Sequence, residues 1–198
     1  SNWIAKDIYA NNVDTAKGLT GVLAMTFGAA ATAYGNVAEN DLVSSDGSKF
    51  WKATNTTTTE GITLPVIRTL ASTAKIYDGP NGKPDLGTCS ETLFNIVAGI
   101  LQVQQRFATE KDAVNAGFMH LVFEGKVIAA DDFAPAGYLF LFNTEHLGFH
   151  IYKSSYFVRT PWMDLLPSRI PAKTMDILWD GNLVPDNRKA HAGHSNLS

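Results

Sequence analysis

Apolar residues recur at helical spacing between Ile62 and Tyr77, with Ile62, Val66, Leu70 and Ala74 on one face. That pattern predicts an amphipathic helix whose first turn accommodates Pro65. The run Asp78-Gly79-Pro80-Asn81-Gly82-Lys83-Pro84 then breaks the chain. A second helix is predicted from a capping box, with Thr88 as N-cap and Glu91 three residues on. Its apolar face is Leu93, Ile96, Val97, Ile100 and Leu101, and it ends near Phe107. Beyond it the apolar positions alternate, as strands require. Phe118 to Phe123, Lys126 to Ala130, Tyr138 to Asn143 and Leu147 to Phe157 read as strands, with Glu124-Gly125 as the turn between the first two. A last strand is predicted over Thr174 to Val184. There Ile177 and Trp179 share a face, which predicts a buried Trp179.

Upstream the pattern is looser. Gly18 to Lys52 is rich in Gly, Ala, Ser and Asn, and Gly18-Leu19-Thr20-Gly21-Val22-Leu23 reads as an extended segment leaving a tight turn. Phe50-Trp51 marks a short strand. Thr54-Asn55-Thr56-Thr57-Thr58-Thr59 is a low-complexity polar tract, expected as an exposed loop. The chain opens on Trp3 to Tyr9, which reads as the end of a helix, so further chain is expected before it. Together the elements predict an α+β fold with helices in the middle and strands at the end.

Composition sharpens this. Apolar residues make up 45% of the 198 and aromatics 11%, while charged residues are only 18%, below the usual quarter or so. Such a chain suits burial against partners as well as within itself. The formal net charge is -3 and the Lys and Arg residues are scattered, which disfavours grip on nucleic-acid phosphates. The apolar run Gly21 to Ala33 is alanine-rich and too short to span a bilayer.

The sequence carries no glycine-rich phosphate loop, nucleophile elbow or paired-cysteine metal site. Cys89, the only cysteine, is expected to be a buried, inert thiol. His146 and His150 would share a strand face, but two histidines without a third ligand more often sit at a surface. His191 and His194 fall in a polar, glycine-containing tail, expected to be a flexible end. Asp131 and Asp132 would point to opposite faces of a strand and are better read as solvated loop charges. Arg106 suits the C-terminus of the second helix. No catalytic, cofactor-binding or metal-ligating residue is assigned.

Four stretches in order carry a family resemblance. The first is Gly18-Leu19-Thr20-Gly21-Val22, with Tyr34-Gly35-Asn36-Val37 and Phe50-Trp51. The second runs from Pro84-Asp85-Leu86-Gly87-Thr88-Cys89-Ser90 to Gln104-Gln105-Arg106-Phe107. The third is Ala116-Gly117-Phe118, Leu121 to Asp132 and Gly137 to Thr144, and the last is Ile177 to Val184 with Asn187-Arg188. They resemble the C-terminal portion of a tailed-bacteriophage or prophage major capsid protein of the HK97 fold type. The polar tail Ala190-His191-Ala192-Gly193-His194 departs from that family's usual ending.

The resemblance implies an axial domain over 62–145 with two central helices on a sheet. It implies a peripheral domain from 1–61 and 146–198. It also implies a non-enzymatic shell protein of the virion, assembled in the bacterial cytoplasm into hexamers and pentamers. Portal, scaffold or decoration proteins would be its other partners, and it would bind no specific nucleic acid, membrane or cofactor. The chain alone would stay monomeric or form small rings. The rival readings are an encapsulin-like compartment shell and a small cytoplasmic enzyme using Cys89 or the histidines.

Overall fold

A computed structural model describes residues 21–27, 37–45, 47, 49, 51–76, 82–102, 120–165 and 171–198. Among these residues the chain forms three α-helices, α1 (Val22–Phe27), α2 (Leu64–Thr73) and α3 (Glu91–Gln102). It also forms one six-stranded sheet, from β1 (Thr54–Thr56), β2 (Leu86–Cys89), β3 (His120–Phe123), β4 (Lys126–Ala130), β5 (Leu139–Phe142) and β12 (Ala192–His194). The strands between them in sequence, β6 (Leu147–Ile151), β7 (Val158–Arg159), β8 (Met163–Asp164), β9 (Lys173–Thr174), β10 (Ile177–Leu178) and β11 (Gly181–Pro185), pair only with one another.

The sheet order is β1-β12-β5-β2-β4-β3. It is mixed: β1 runs parallel to β12 and β2 parallel to β4, while the other neighbours are antiparallel. β5 lies inside it, with all four residues buried. Leu139 and Leu141 point into a core formed with Ile67 and Leu70 of α2, Leu93 and Val97 of α3, Cys89 and Ile128. Phe140 and Phe142 point the other way, into a second core with Val22 and Met25 of α1, joined by Phe27, Trp51 and Tyr138. Alternation along one strand thus divides two hydrophobic layers.

Both central helices form close to their expected places. α2 starts at Leu64 with Pro65 in its first turn and buries Leu64, Ile67, Leu70 and Ala71. Ile62 is buried ahead of the helix, where its N–H bonds the Ser198 carbonyl at 3.1 Å. α3 turns Phe94 inward and leaves Ile96 exposed. The capping box is a correction. Thr88 is a β2 residue paired between β4 and β5, and Ser90 takes the N-cap place, its carbonyl accepting from Phe94 N at 3.0 Å. Sheet pairing satisfies the Thr88 backbone before the helix begins. Residues 103–107, Arg106 among them, lie outside the described residues.

The strands over 120–142 follow the expected pattern, and Glu124 and Gly125 make the β3–β4 turn at φ 50° and 76°, the left-handed pair that a tight hairpin requires. Three other readings change. Val22–Phe27 is a helix rather than an extended segment, because Val22, Ala24 and Met25 bury one side against the second core. The threonine tract contributes β1, the edge strand, through its register with β12. The polar tail is no free end: Ala192–His194 is fully buried between β1 and β5.

Gly193 is what lets β12 lie there. A Cβ on it would stand 2.4 Å from Phe27 Cε2 and 2.8 Å from Cζ, and Phe27 is itself held edge-on to Tyr138 at 5.4 Å and Phe140 at 6.2 Å. Gly193→Ala should therefore cost about 1–3 kcal/mol through overpacking. Gly99→Ala, on the exposed side of α3 with open space around it, should instead gain roughly 0.5–1 kcal/mol from helix propensity. Urea denaturation of both variants checks the contrast; equal effects would mean that Phe27 does not occupy the Gly193 face.

Candidate interaction surface

Side chains with chemical potential are dispersed rather than gathered. Cys89 is buried, its thiol pushed up to about 12 by burial, so little reactive thiolate forms at neutral pH. His146 sits in a 3-10 turn (Thr144–His146) and not on a strand, with Nδ1 2.9 Å from Asp186 Oδ1. His150 is exposed on β6 opposite Asn182. Asp131 accepts from Phe133 N at 2.9 Å in the turn after β4, and Asp132 is exposed beside it. No group of three His, Cys, Asp or Glu residues among those described is arranged to hold a metal ion.

The two tail histidines are structural. His191 is fully buried and stands between the Asn143 N–H, which reaches Nδ1 at 3.4 Å, and the His146 carbonyl, 3.3 Å from Nε2. One donor and one acceptor suit a neutral ring carrying its proton on Nε2. Burial lowers its pKa from 6.5 to about 4. His194 is buried too, with Nδ1 2.8 Å from the Ser195 carbonyl and Nε2 2.7 Å from Glu60 Oε1. It ties β12 to the loop that leads into α2.

The surface that stands out is an arm. β6 pairs antiparallel with β11, β7 with β10, and β8 with β9. Backbone bonds bridge the gaps: Tyr152 N to Asp180 O at 2.9 Å, Thr160 N to Asp176 O at 2.9 Å, and Leu165 N to Ala172 O at 2.9 Å. Residues 147–165 therefore run out and 172–185 run back as one interrupted two-stranded ribbon, at most roughly 45 Å long by strand rise. Its base is anchored by Leu147 and Leu183, packed on the second core.

Past that base the apolar residues face solvent. Tyr152 is 64% exposed, Tyr156 58%, Phe157 53%, Trp162 65% and Ile177 57%, with Phe149, Ile151, Val158, Met163, Leu178 and Val184 at a third to a half. With aromatic side chains of about 150–250 Å² each, the exposed apolar area is on the order of 1,000 Å². It is on the scale of the roughly 800 Å² that each partner gives to a standard interface.

No protein-family model matches this sequence, and no curated protein matches it either. A solved structure does. The fold matches the Cyanophage A-1(L) capsid asymmetric unit with a TM-score of 0.64 at 13% sequence identity, over 98% of this chain and 64% of that one. The chain has a phage-capsid-like fold. It spans less than two thirds of the cyanophage chain. Single residues scarcely announce the exposed arm in the sequence. The signal was the density of aromatics between Phe149 and Trp179.

Trp179 belongs to this arm and not to a core. Its ring lies 5.7 Å from Phe149 and 6.5 Å from Phe157, and covers Gly181, where a Cβ would stand 2.8 Å from Trp179 Cζ2. Strand alternation placed it on the apolar face, but in the two-stranded ribbon that face is covered only in part, and Trp179 is half-buried. Trp179→Ala should accordingly cost about 1 kcal/mol or less in denaturant titration, not the roughly 3–5 of a core aromatic.

His191 sets a pH dependence. The unfolded chain takes up its proton near 6.5, whereas the folded chain resists until about 4. The unfolded state binds more protons in between, so stability falls as the pH drops through that interval, by on the order of 2–3 kcal/mol. His191→Gln, which does not titrate, should flatten this part of the stability–pH curve. An unchanged slope would place the acid sensitivity elsewhere.

Proposed function

We propose that this chain is a subunit of an icosahedral shell enclosing the genome of a tailed phage or prophage, of the HK97 type. The observation that carries it is the fold, matched over 98% of the chain by a chain of the Cyanophage A-1(L) capsid asymmetric unit. The exposed apolar arm supports the same reading, since a shell subunit must present surface to its neighbours. Residues 62–145 are the axial domain on this proposal, with 1–61 and 146–198 as the peripheral domain; β1 and β12 then extend the axial sheet from the flanking segments.

The role is structural, and no catalytic residue is assigned. The subunit associates with copies of itself in hexamers and pentamers, in the bacterial cytoplasm and then in the virion, with portal, scaffold or decoration proteins as further partners. The mild negative charge of -3 suits a lining that does not hold packaged DNA tightly. No helix among the described residues is long and apolar enough to cross a membrane.

Light scattering and negative-stain microscopy test the proposal. The chain alone should give monomers and, at high concentration, rings of five- or six-fold symmetry, because a heterologous contact whose rotation closes makes a ring. The same protein expressed from its whole gene should give closed shells. A whole-gene product that stays monomeric at every concentration and salt would falsify the shell reading.

A further inference from the structure

Midway along the arm, four aromatic rings form a knot. Trp179 lies 5.7 Å from Phe149 and 6.5 Å from Phe157, and Phe157 lies edge-on to Tyr156 at 5.3 Å. Phe157 has φ 50°, the left-handed region that a bulky side chain rarely adopts, and holding it there is strained. Strain of this kind persists where surrounding structure over-determines the backbone. Here the chain itself supplies little cover: Phe157 is 53% exposed and Tyr156 58%. A strained backbone that presents its aromatic ring to water is organised for a surface outside this chain.

We infer that the Tyr156-Phe157-Trp179 knot anchors an arm-to-arm contact with a second copy of this chain. The inference rests on the shell reading only for the identity of the partner. Two features point to a copy rather than to an unrelated protein. The apolar area along one arm, on the order of 1,000 Å² over its two faces, is on the scale of a standard interface, so a second arm is a partner of matching size and chemistry. The charges are also mixed: among the described residues of the arm, Lys153, Arg159 and Lys173 are exposed beside Asp164, Asp176 and Asp180. A surface carrying both signs can face its own copy without net repulsion. Buried aromatics at the centre of such a contact carry most of its affinity.

Sedimentation velocity over a concentration series, with thermal melting of each variant, tests the inference on the chain as it stands. Phe157→Gly removes the ring and tolerates φ 50°, so the melting temperature should hold or rise while self-association weakens at least about tenfold. Tyr156→Ser should weaken association in the same direction without touching that backbone. In a third arm, a photoreactive benzoylphenylalanine at position 157 should give a covalent dimer, with the crosslink mapping to residues 147–185 of the second copy. Association of both variants within about twofold of the original chain, or crosslinks mapping outside the arm, would overturn the inference. Shells that form equally well from a whole-gene Phe157→Gly protein would remove the knot and leave the shell reading standing. Arm-linked dimers with no ring or shell under any condition would do the reverse.

Discussion

β5 carries large apolar residues on both faces, and that fact constrains everything around it. A strand with Leu139 and Leu141 on one side and Phe140 and Phe142 on the other cannot be left at an edge or against water. Both of its backbone edges need partners and both faces need a layer. β2 supplies one edge, and α2 with α3 supplies one layer. The remaining edge and layer come from segments far away in sequence, β12 and α1. The β12 backbone is as much a requirement of β5 as the helices are.

Arg188 fastens those distant pieces. Its guanidinium is almost wholly buried, with Nε and one terminal nitrogen donating to the Met25 carbonyl at 3.0 and 2.8 Å near the end of α1. The same group stands 3.8 Å from the buried Glu39 carboxylate and 6.0 Å from the Trp51 ring centroid. A buried cation is costly unless paired and hydrogen-bonded, and here the partners are a helix-end carbonyl, a carboxylate and an aromatic face. The arrangement commits α1, the Glu39 turn and the C-terminal segment to one geometry, and β12 begins four residues on, at Ala192.

The arm shows the same residue types meeting the opposite fate. Leu147 and Leu183 reach the second core and are partly covered. A few residues further on, Phe149, Phe157 and Ile177 sit on a ribbon that leaves them about half exposed. Burial in this protein is decided by which layer lies across from a strand, not by the apolar alternation of the strand. That is why Trp179, well placed by periodicity, ends half-buried among exposed aromatics.

Local physics was legible in the sequence. Helical spacing disclosed α2 and α3, alternation disclosed β3 to β6, and Glu124-Gly125 disclosed its hairpin, because each rests on contacts between near neighbours. The burial of Cys89 and the turn placement of Asp131-Asp132 were readable for the same reason. What the tertiary structure alone decided involves partners distant in the chain. Thr54–Thr56 and Ala192–His194 are short and polar, and neither has an apolar period of its own. They become strands only because β5 needs an edge filled and each offers the other a backbone to pair with. The apolar period names a strand's faces, whereas hydrogen-bond partners and covering layers are set by the rest of the fold.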